Sequence, residues 1–391
     1  MKIKSFILAI AFAGSSSAGF AQKGELSSAK TNYDKYEQLR AANSGALGLT
    51  NLKTAKTSID KAAAHEKTMN DPATWTYKAL IYSDLAVLDT VPSTSKPLIT
   101  EAATALAKAK ELDKSGANKA NLDKVSANLA QYDLNLGVKA YQANKFEEAY
   151  TSFNNSLNFR PGDTTIIYYA GLSAINAKNY KEGIAKYEDL VKTNFSANPQ
   201  VYLDLSRLYH MQGDTVKAIK IASEGAAKYN NAALATQEIE LSLMSGKQAE
   251  IISKIEAQAQ KDPKNKLLPF YLGIAYNAVN DNEKAMAAYK QAVALDPEFA
   301  DANLNLGGLY LNKGIDLYNT ANKLPQTKQK EYDEMMKKAN VQFEASFPLL
   351  QKAAQLNPKS RIALDNLKTY YIIKKNNSKV EEITKQLNDL Q

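Results

Sequence analysis

Small, bulky and polar residues recur along the chain at a fixed interval. The segment "LGIAYNAVNDNEKAMAAYKQAVALDP" (residues 272–297) matches "LGVKAYQANKFEEAYTSFNNSLNFRP" (residues 136–161) in register, with Leu-Gly first and Pro last in both. The Gly of each Leu-Gly pair, or its counterpart, recurs after 34, 35, 33, 34 and 34 residues, at Gly137, Gly171, Ser206, Ile239, Gly273 and Gly307. A constant period of about 20–50 residues indicates an array of structural repeats.

The pattern within each repeat predicts two antiparallel helices, A and B. Small residues recur where two helix backbones approach each other, as at Gly137 on helix A and Ala149 on helix B. Large residues such as Tyr276 on helix A and Tyr289 on helix B recur between those contacts. Proline is suited to the position just after a helix, because it stops the helix without interrupting it. Prolines follow helix B at Pro161, Pro263, Pro297 and Pro358.

The 34-residue period and this placement of small and large residues resemble the tetratricopeptide repeat (TPR). The resemblance implies an all-α fold, a right-handed α-solenoid of antiparallel helix pairs. In such an array the A helices line a concave groove and the B helices form the outer wall. TPR proteins bind peptides or protein segments in that groove, so the resemblance implies a protein-binding scaffold.

The regularity of the repeat divides the chain into segments. Residues 129–299 are predicted to form the regular TPR array. Residues 22–128 hold looser, TPR-like helices, and "DTVPSTSKP" (residues 89–97) is expected to lengthen the turn between two of them. Residues 359–391 are predicted to form a capping helix pair, because their last helix carries polar residues suited to solvent.

One repeat is much longer than the others. In residues 300–358, the distance from Gly307 to Pro358 is 51 residues, whereas that from Gly273 to Pro297 is 24. The surplus has the periodicity of two helices, with "LPQT" between them as a turn. Shared between both helices, it extends each by about 13 residues, or roughly 20 Å. We therefore expect an extended helical hairpin near the C-terminus.

The first residues have the pattern of an export signal. Lys2 and Lys4 precede a short apolar run at residues 6–13, and small residues end at Ala21. This pattern predicts a signal peptide over residues 1–21. The processed chain has no cysteine and therefore no disulfide, and it is expected not to insert stably into a membrane. Periplasmic localisation is favoured, with full secretion as the alternative.

Charge and residue types argue against nucleic-acid binding and catalysis. The net charge is +8, but acidic and basic residues alternate, as in "KQKEYDEMMKK", and form no basic stripe. The two histidines, His65 and His210, are 145 residues apart, and common hydrolase, metalloprotease and phosphate-loop motifs are missing. We therefore expect no enzymatic activity, no cofactor and no metal site.

The residues that would face the groove are predicted by counting from the repeat positions. Amides and tyrosines are prominent among them, and these side chains suit an extended peptide. The candidates are Asn135, Tyr168, Tyr169, Asp204, Arg207, His210, Tyr271, Asn277, Asn305 and Asn312. The leading hypothesis is a scaffold of the cell envelope that binds a protein or peptide partner. The alternatives are a homo-oligomer assembled through the hairpin near Met335 and Met336, or an accessory subunit of an envelope complex.

Overall fold

The structure is a computed structural model that describes residues 24–390, apart from the side chains of residues 45 and 46. The predicted signal peptide, residues 1–21, lies outside this part of the chain. Within residues 24–390 the fold is all-α, with no strand. The helices are α1 (24–41), α2 (Gly45–Ala64), α3 (Pro72–Leu88), α4 (Pro92–Leu112), α5 (Lys119–Gln142), α6 (Phe146–Phe159), α7 (Thr164–Asn176), α8 (Tyr180–Val191), α9 (Asn198–Met211), α10 (Thr215–Tyr229), α11 (Ala232–Met244), α12 (Gln248–Lys261), α13 (Leu267–Ala278), α14 (Asn282–Leu295), α15 (Ala300–Ala321), α16 (Gln329–Leu356), α17 (Arg361–Ile373) and α18 (Asn377–Asn388).

Consecutive helices pack as A/B pairs, for example α5 with α6, α7 with α8 and α13 with α14. The B helix of one pair then packs on the A helix of the next, as α6 does on α7 and α12 on α13. The chain forms two compact units, whose boundary in sequence lies between Val201 and Tyr202, within α9. No helix in the described part of the chain is both long enough and apolar enough to cross a membrane.

The turns between helices A and B share one backbone feature. A residue with positive φ recurs at the same phase of the repeat, where it ends helix A in the left-handed conformation. These residues are Asn144 (58°), Lys178 (65°), Gly213 (83°), Gly246 (81°) and Asn280 (62°). Asparagine and glycine tolerate this conformation best, which explains why they predominate at the turns.

The glycines of helix A receive aromatic rings from helix B. A Cβ atom added to Gly137 would lie 2.7 Å from the ring of Phe153, and one added to Gly171 would lie 2.7 Å from the ring of Tyr187. Both rings are fully buried. The prediction that small residues mark close approaches between helices is therefore confirmed, and the large residues that fill the remaining space are their direct partners.

The predicted long turn at residues 89–97 is wrong, because most of that segment is helical. Helix α4 begins at Pro92, so the connection after α3 is only three residues long. Pro92 fits the first turn of a helix, where its missing N–H has no partner to lose. The Ser95 and Tyr132 hydroxyls share a buried hydrogen bond of 2.9 Å, which attaches this added part of α4 to α5.

The long repeat near the C-terminus contains the two long helices that the sequence predicts. Helices α15 and α16 have 22 and 28 residues, whereas the helices from α6 to α14 have 12 to 15. A short 3₁₀ helix, Gln326–Lys328, lies in the connection between them. Phe343 of α16 is buried against Gly314 of α15, so the glycine–aromatic contact is repeated along the hairpin.

A buried polar network connects α1, α3 and α5 in the first unit. The Asp84 side chain is 3% exposed and accepts hydrogen bonds from the Tyr33 hydroxyl (2.7 Å) and the Asn128 amide (2.8 Å). The Lys124 ammonium donates to the Tyr33 oxygen at 2.8 Å, and an Arg40 guanidinium nitrogen lies 3.7 Å from Asp84. Burial raises the pKa of Asp84 above its ordinary value. The network thus links three A helices through one carboxylate.

Candidate functional site

The predicted groove residues of the first unit lie on α5 and α7. Asp163 caps α7 by accepting hydrogen bonds from the Thr165 and Ile166 N–H groups, which sets where Tyr168 and Tyr169 fall on the helix. The Tyr168 ring stacks on Tyr187 with 6.1 Å between centroids. Tyr168 is therefore a packing residue as well as a candidate contact.

Tyr169 presents more of its ring to solvent than Tyr168 does. Its side chain is 39% exposed, while its inner edge stacks on Phe153 with 5.9 Å between ring centroids. Tyr141 of α5 meets Tyr169 edge to face, and its hydroxyl accepts a hydrogen bond from the Asn176 amide. Asn135 is exposed on the same helix as Tyr141 and accepts from Gln131 at 2.9 Å. This surface combines a fixed aromatic ring with amide groups.

In the second unit, α9 carries three candidates at a spacing of three residues. Arg207 is exposed, and its guanidinium lies 4.0 Å from the Asp204 carboxylate on the preceding turn. His210 lies half-buried at the end of the helix, with its Nδ1 atom 3.4 Å from the Thr215 hydroxyl. All three therefore share one face of α9, and Arg207 is the one that reaches furthest into solvent.

Tyr271 of α13 is buried. Its side chain is 8% exposed, and its hydroxyl donates to the Glu240 carboxylate of α11 at 2.5 Å. Burial and the neighbouring Glu240 charge raise the pKa of Tyr271 above its ordinary value. The residue therefore fixes the position of Glu240 and leaves little of its own surface to a ligand.

Two predicted residues come together in a polar cleft of about 520 Å³ formed by α13, α14 and α15. Asn277 from the end of α13 and Asn312 from α15 are exposed in this cleft. Asn280 and Asn282, from the turn between α13 and α14, complete its carboxamide lining. We call this the asparagine cleft. Asn305, two turns before Asn312 on α15, instead hydrogen-bonds to the Tyr289 hydroxyl.

The turn residues of the asparagine cleft were missed by sequence reasoning. Asn280 adopts a φ of 62°, and the next residue, Asp281, caps α14 by accepting from the Lys284 N–H at 3.2 Å. This turn brings Glu283 beside Lys313 of the following repeat, with an ion pair at 2.5 Å. One feature of the sequence could have indicated this turn. Glu283 and Lys313 are oppositely charged and 30 positions apart, close to one repeat, which suggests an ion pair between neighbouring repeats.

The asparagine cleft is chemically suited to polar backbone groups. A carboxamide offers two N–H donors and an acceptor oxygen, so facing asparagines can pair with both the N–H and C=O groups of an extended segment. Glu283 and Lys313 pair with each other in the wall, and the carboxamides line the cleft together with the Asp316 carboxylate. Across residues 24–390, no cluster of three or more His, Asp or Glu side chains could hold a metal ion.

Comparisons with known families identify the repeat unit. A TPR repeat model matches residues 273–314, and a tetratricopeptide repeat model matches residues 168–233. These segments include Tyr168 and Tyr169 in one case and Asn277 and Asn312 in the other. These two segments are thus similar to TPR repeats, and the all-α fold class that the sequence predicts is confirmed within residues 24–390.

Several solved structures are similar to this chain at low sequence identity. A TPR repeats protein from Bacteroides fragilis NCTC 9343 is 21% identical, covering 62% of this chain and 98% of that one, with a TM-score of 0.33. MamA from Desulfovibrio magneticus RS-1 is 16% identical, covering 49% and 97%, with a TM-score of 0.36. Similarities of this size carry no conclusion about function. No curated protein sequence matches the chain.

Proposed function

We propose that this protein is a non-enzymatic scaffold that binds an extended peptide or protein segment on the A-helix faces of its repeats, with the asparagine cleft as a principal contact. The observation that carries this proposal is the convergence of Asn277 and Asn312, from different repeats, in one cleft. TPR proteins bind protein partners, and the matched segments support assigning this chain to the same broad class.

The chemistry of the asparagine cleft favours a segment over a folded surface. Four of its ten lining residues are asparagines, so affinity would come largely from hydrogen bonds to a backbone that is still free to pair. The cleft volume lies within the roughly 300–1,000 Å³ range of ligand sites in proteins. The exposed edge of Tyr169 offers apolar contact area of the kind that aromatic anchors supply at interfaces.

The proposed place of action is the cell envelope. This part of the proposal rests on the basic start, the apolar run and the small residues that end at Ala21. Processing after Ala21 is tested by N-terminal sequencing of the protein released from the periplasm by osmotic shock. Recovery only in the cytoplasm, with Met1 retained, would refute export and leave the binding proposal in place.

Binding at the asparagine cleft is tested by photocrosslinking in living cells. The photoreactive residue p-benzoylphenylalanine replaces Asn312 in the cleft or, as a control, Gln291, which is exposed on the B helix α14. We expect a discrete crosslinked band from position 312 and none from position 291. Adding the Asn277→Ala substitution should weaken the band at 312, because it removes the facing amide. Bands of equal intensity at both positions would contradict the proposal.

A second candidate function is architectural self-association through the long hairpin. The observation that favours it is apolar exposure on both of its helices, at Tyr318 of α15 and Val341 of α16. Exposed apolar side chains on neighbouring helices form the kind of patch that an oligomer buries. In this second hypothesis, another copy of the chain binds to the long hairpin, and the asparagine cleft is not involved.

A further inference from the structure

A larger cavity, of about 750 Å³, lies in the first unit where α4, α5 and α6 each turn one face toward it. We call it the α4–α6 cleft. Its floor includes the half-buried apolar side chains of Ile99, Leu136 and Phe159, one from each helix. The cleft is therefore an apolar surface of defined shape that none of the groove residues predicted from the sequence occupies.

One carboxylate in the wall of this cleft has no partner. Asp133 of α5 is half-buried, and no hydrogen bond or ion pair reaches its side chain from the described residues. Burial alone raises the pKa of Asp133 to about 6. At neutral pH the group is still ionised, so the cleft holds a negative charge that is poorly solvated and has no cation beside it.

The other charged groups around the cleft do not neutralise Asp133. From α4, Lys96 lines the cleft with an exposed side chain and makes no ion pair with any residue that the structure describes. From α6, Glu147 accepts a hydrogen bond from the Asn179 amide, and Glu148 pairs with Lys145 at 3.2 Å. The cleft therefore carries three carboxylates and one ammonium group.

On α5 itself, the neighbouring Tyr132 has no basic group, and its hydroxyl already shares a hydrogen bond with Ser95. No group of α5 that lines the cleft therefore supplies a positive charge to Asp133. The imbalance makes the cleft electrostatically complementary to a cation.

A cleft between corresponding helices of the second unit also contains a carboxylate, and there the carboxylate is paired with a lysine. Between α10 and α12, Glu238 is 7% exposed and forms a hydrogen-bonded ion pair with Lys254 of α12. That cleft is smaller, about 230 Å³. Lys254 lies 102 residues, or three repeat intervals, after Ser152 of α6, and Ser152 lines the α4–α6 cleft. The position that supplies the cation in one cleft therefore holds a neutral serine in the other.

We propose that the α4–α6 cleft binds a lysine or arginine side chain from a segment of a partner protein. The cationic end lies at Asp133, and the alkyl stem lies on Ile99, Leu136 and Phe159. Long basic side chains combine an apolar stem with a charged end, and this cleft has both apolar and acidic lining residues. This is a second binding site, and it does not depend on the asparagine cleft.

The test follows the Asp133 carboxyl carbon by NMR in the full-length chain labelled with ¹³C-carboxyl aspartate, and Asp133→Asn identifies the signal. The probe is acetyl-Leu-Lys-Leu-amide, and the control is the same peptide with its lysine acetylated. We expect the lysine peptide to lower the Asp133 pKa from about 6 toward its ordinary 3.8. The acetylated peptide should leave that pKa unchanged, because it lacks the charge.

The affinity of the lysine peptide should fall as the pH is lowered, because the raised pKa of Asp133 lets the carboxylate become protonated. The peptide binds the ionised carboxylate, and protonation of free Asp133 below its pKa competes with binding. If the pKa falls by about two units on binding, the affinity should be about tenfold lower at pH 5 than at pH 7.5. An affinity that is constant over this range would contradict a role for the Asp133 charge.

A variant that supplies the missing cation completes the test. Ser152→Lys should place a lysine where Lys254 lies in the other cleft, lower the Asp133 pKa without a peptide, and abolish binding of the probe. Asp133→Asn should abolish binding as well, without changing the side-chain volume. Wild-type binding by either variant would overturn the proposal. Equal affinity for butylamine would reassign the cleft to free amines, and self-association lost in Ser152→Lys would reassign it to a second copy.

Discussion

The contact between Tyr33 and Asp84 should be a main source of attachment for helix α1. Tyr33→Phe removes one hydroxyl and keeps the ring, so the Asp84 carboxylate loses its 2.7 Å hydrogen bond inside a buried site. Hydrogen bonds to charged groups contribute about 1.5–3 kcal/mol. Because the Asn128 amide and Arg40 remain beside Asp84, we expect a loss of about 2 kcal/mol in the free energy of unfolding.

The assay is urea unfolding followed by the fluorescence of Trp75, the only tryptophan of the chain, which lies on α3 in the first unit. The matched control is Tyr77→Phe, because the Tyr77 ring contacts Tyr33 edge to face but its hydroxyl makes no hydrogen bond within residues 24–390. The control should cost less than about 0.5 kcal/mol. Equal losses in the two variants would refute the reasoning about Asp84.

The pH dependence of the same variant gives a second readout. Burial raises the folded-state pKa of Asp84 above its ordinary 3.8. In the pH interval between these two pKa values, the folded chain therefore binds more protons than the unfolded chain. The free energy of unfolding therefore falls as pH rises through the interval. The Tyr33 hydroxyl favours the ionised carboxylate, so the cost of Tyr33→Phe should be larger at pH 7 than at pH 3. A cost independent of pH would assign the effect to packing.

Two further predictions concern the long hairpin. Gly314→Ala should destabilise the protein by about 1–3 kcal/mol, because the added Cβ would lie 2.5 Å from the Phe343 ring, whereas Gly308→Ala on the same helix should stabilise it by up to about 1 kcal/mol. Thermal unfolding by circular dichroism measures both, and the same sign of change in both would contradict the packing argument. Val341→Lys should dissociate any oligomer formed through the hairpin, as seen by light scattering, and a mass unchanged by the substitution would exclude that face.

The repeat could be predicted because its physical causes are local and periodic. A glycine such as Gly171 and a ring such as Tyr187 appear in the sequence at fixed phases, and their contact requires only that two short helices pair. The start of α4 was predicted wrongly because Pro92 and the polar residues after it also suit a turn. A hydrogen bond to Tyr132 on another helix, invisible in the local sequence, favours the helix there.

The candidate site was predictable only in part for a related reason. Counting along helix A found Asn277 and Asn312, since positions on the helix face follow from the helical period. Asn280 belongs to the turn, and its place in the cleft depends on where the next repeat puts α15. Tyr271 shows the opposite case, in which a position on the expected face is buried by a hydrogen bond to Glu240.

Repeats with the same backbone can therefore carry different surfaces through single side chains between their helices. Lys254 pairs with Glu238 in the wall of its cleft, so that carboxylate already has a cation from within the chain. At the corresponding position three repeats earlier, Ser152 is short and uncharged, and Asp133, which lines the same cleft, makes no ion pair with any residue that the structure describes. A half-buried charge without a cation beside it raises the free energy of the folded state, and a basic side chain from a partner would remove that cost.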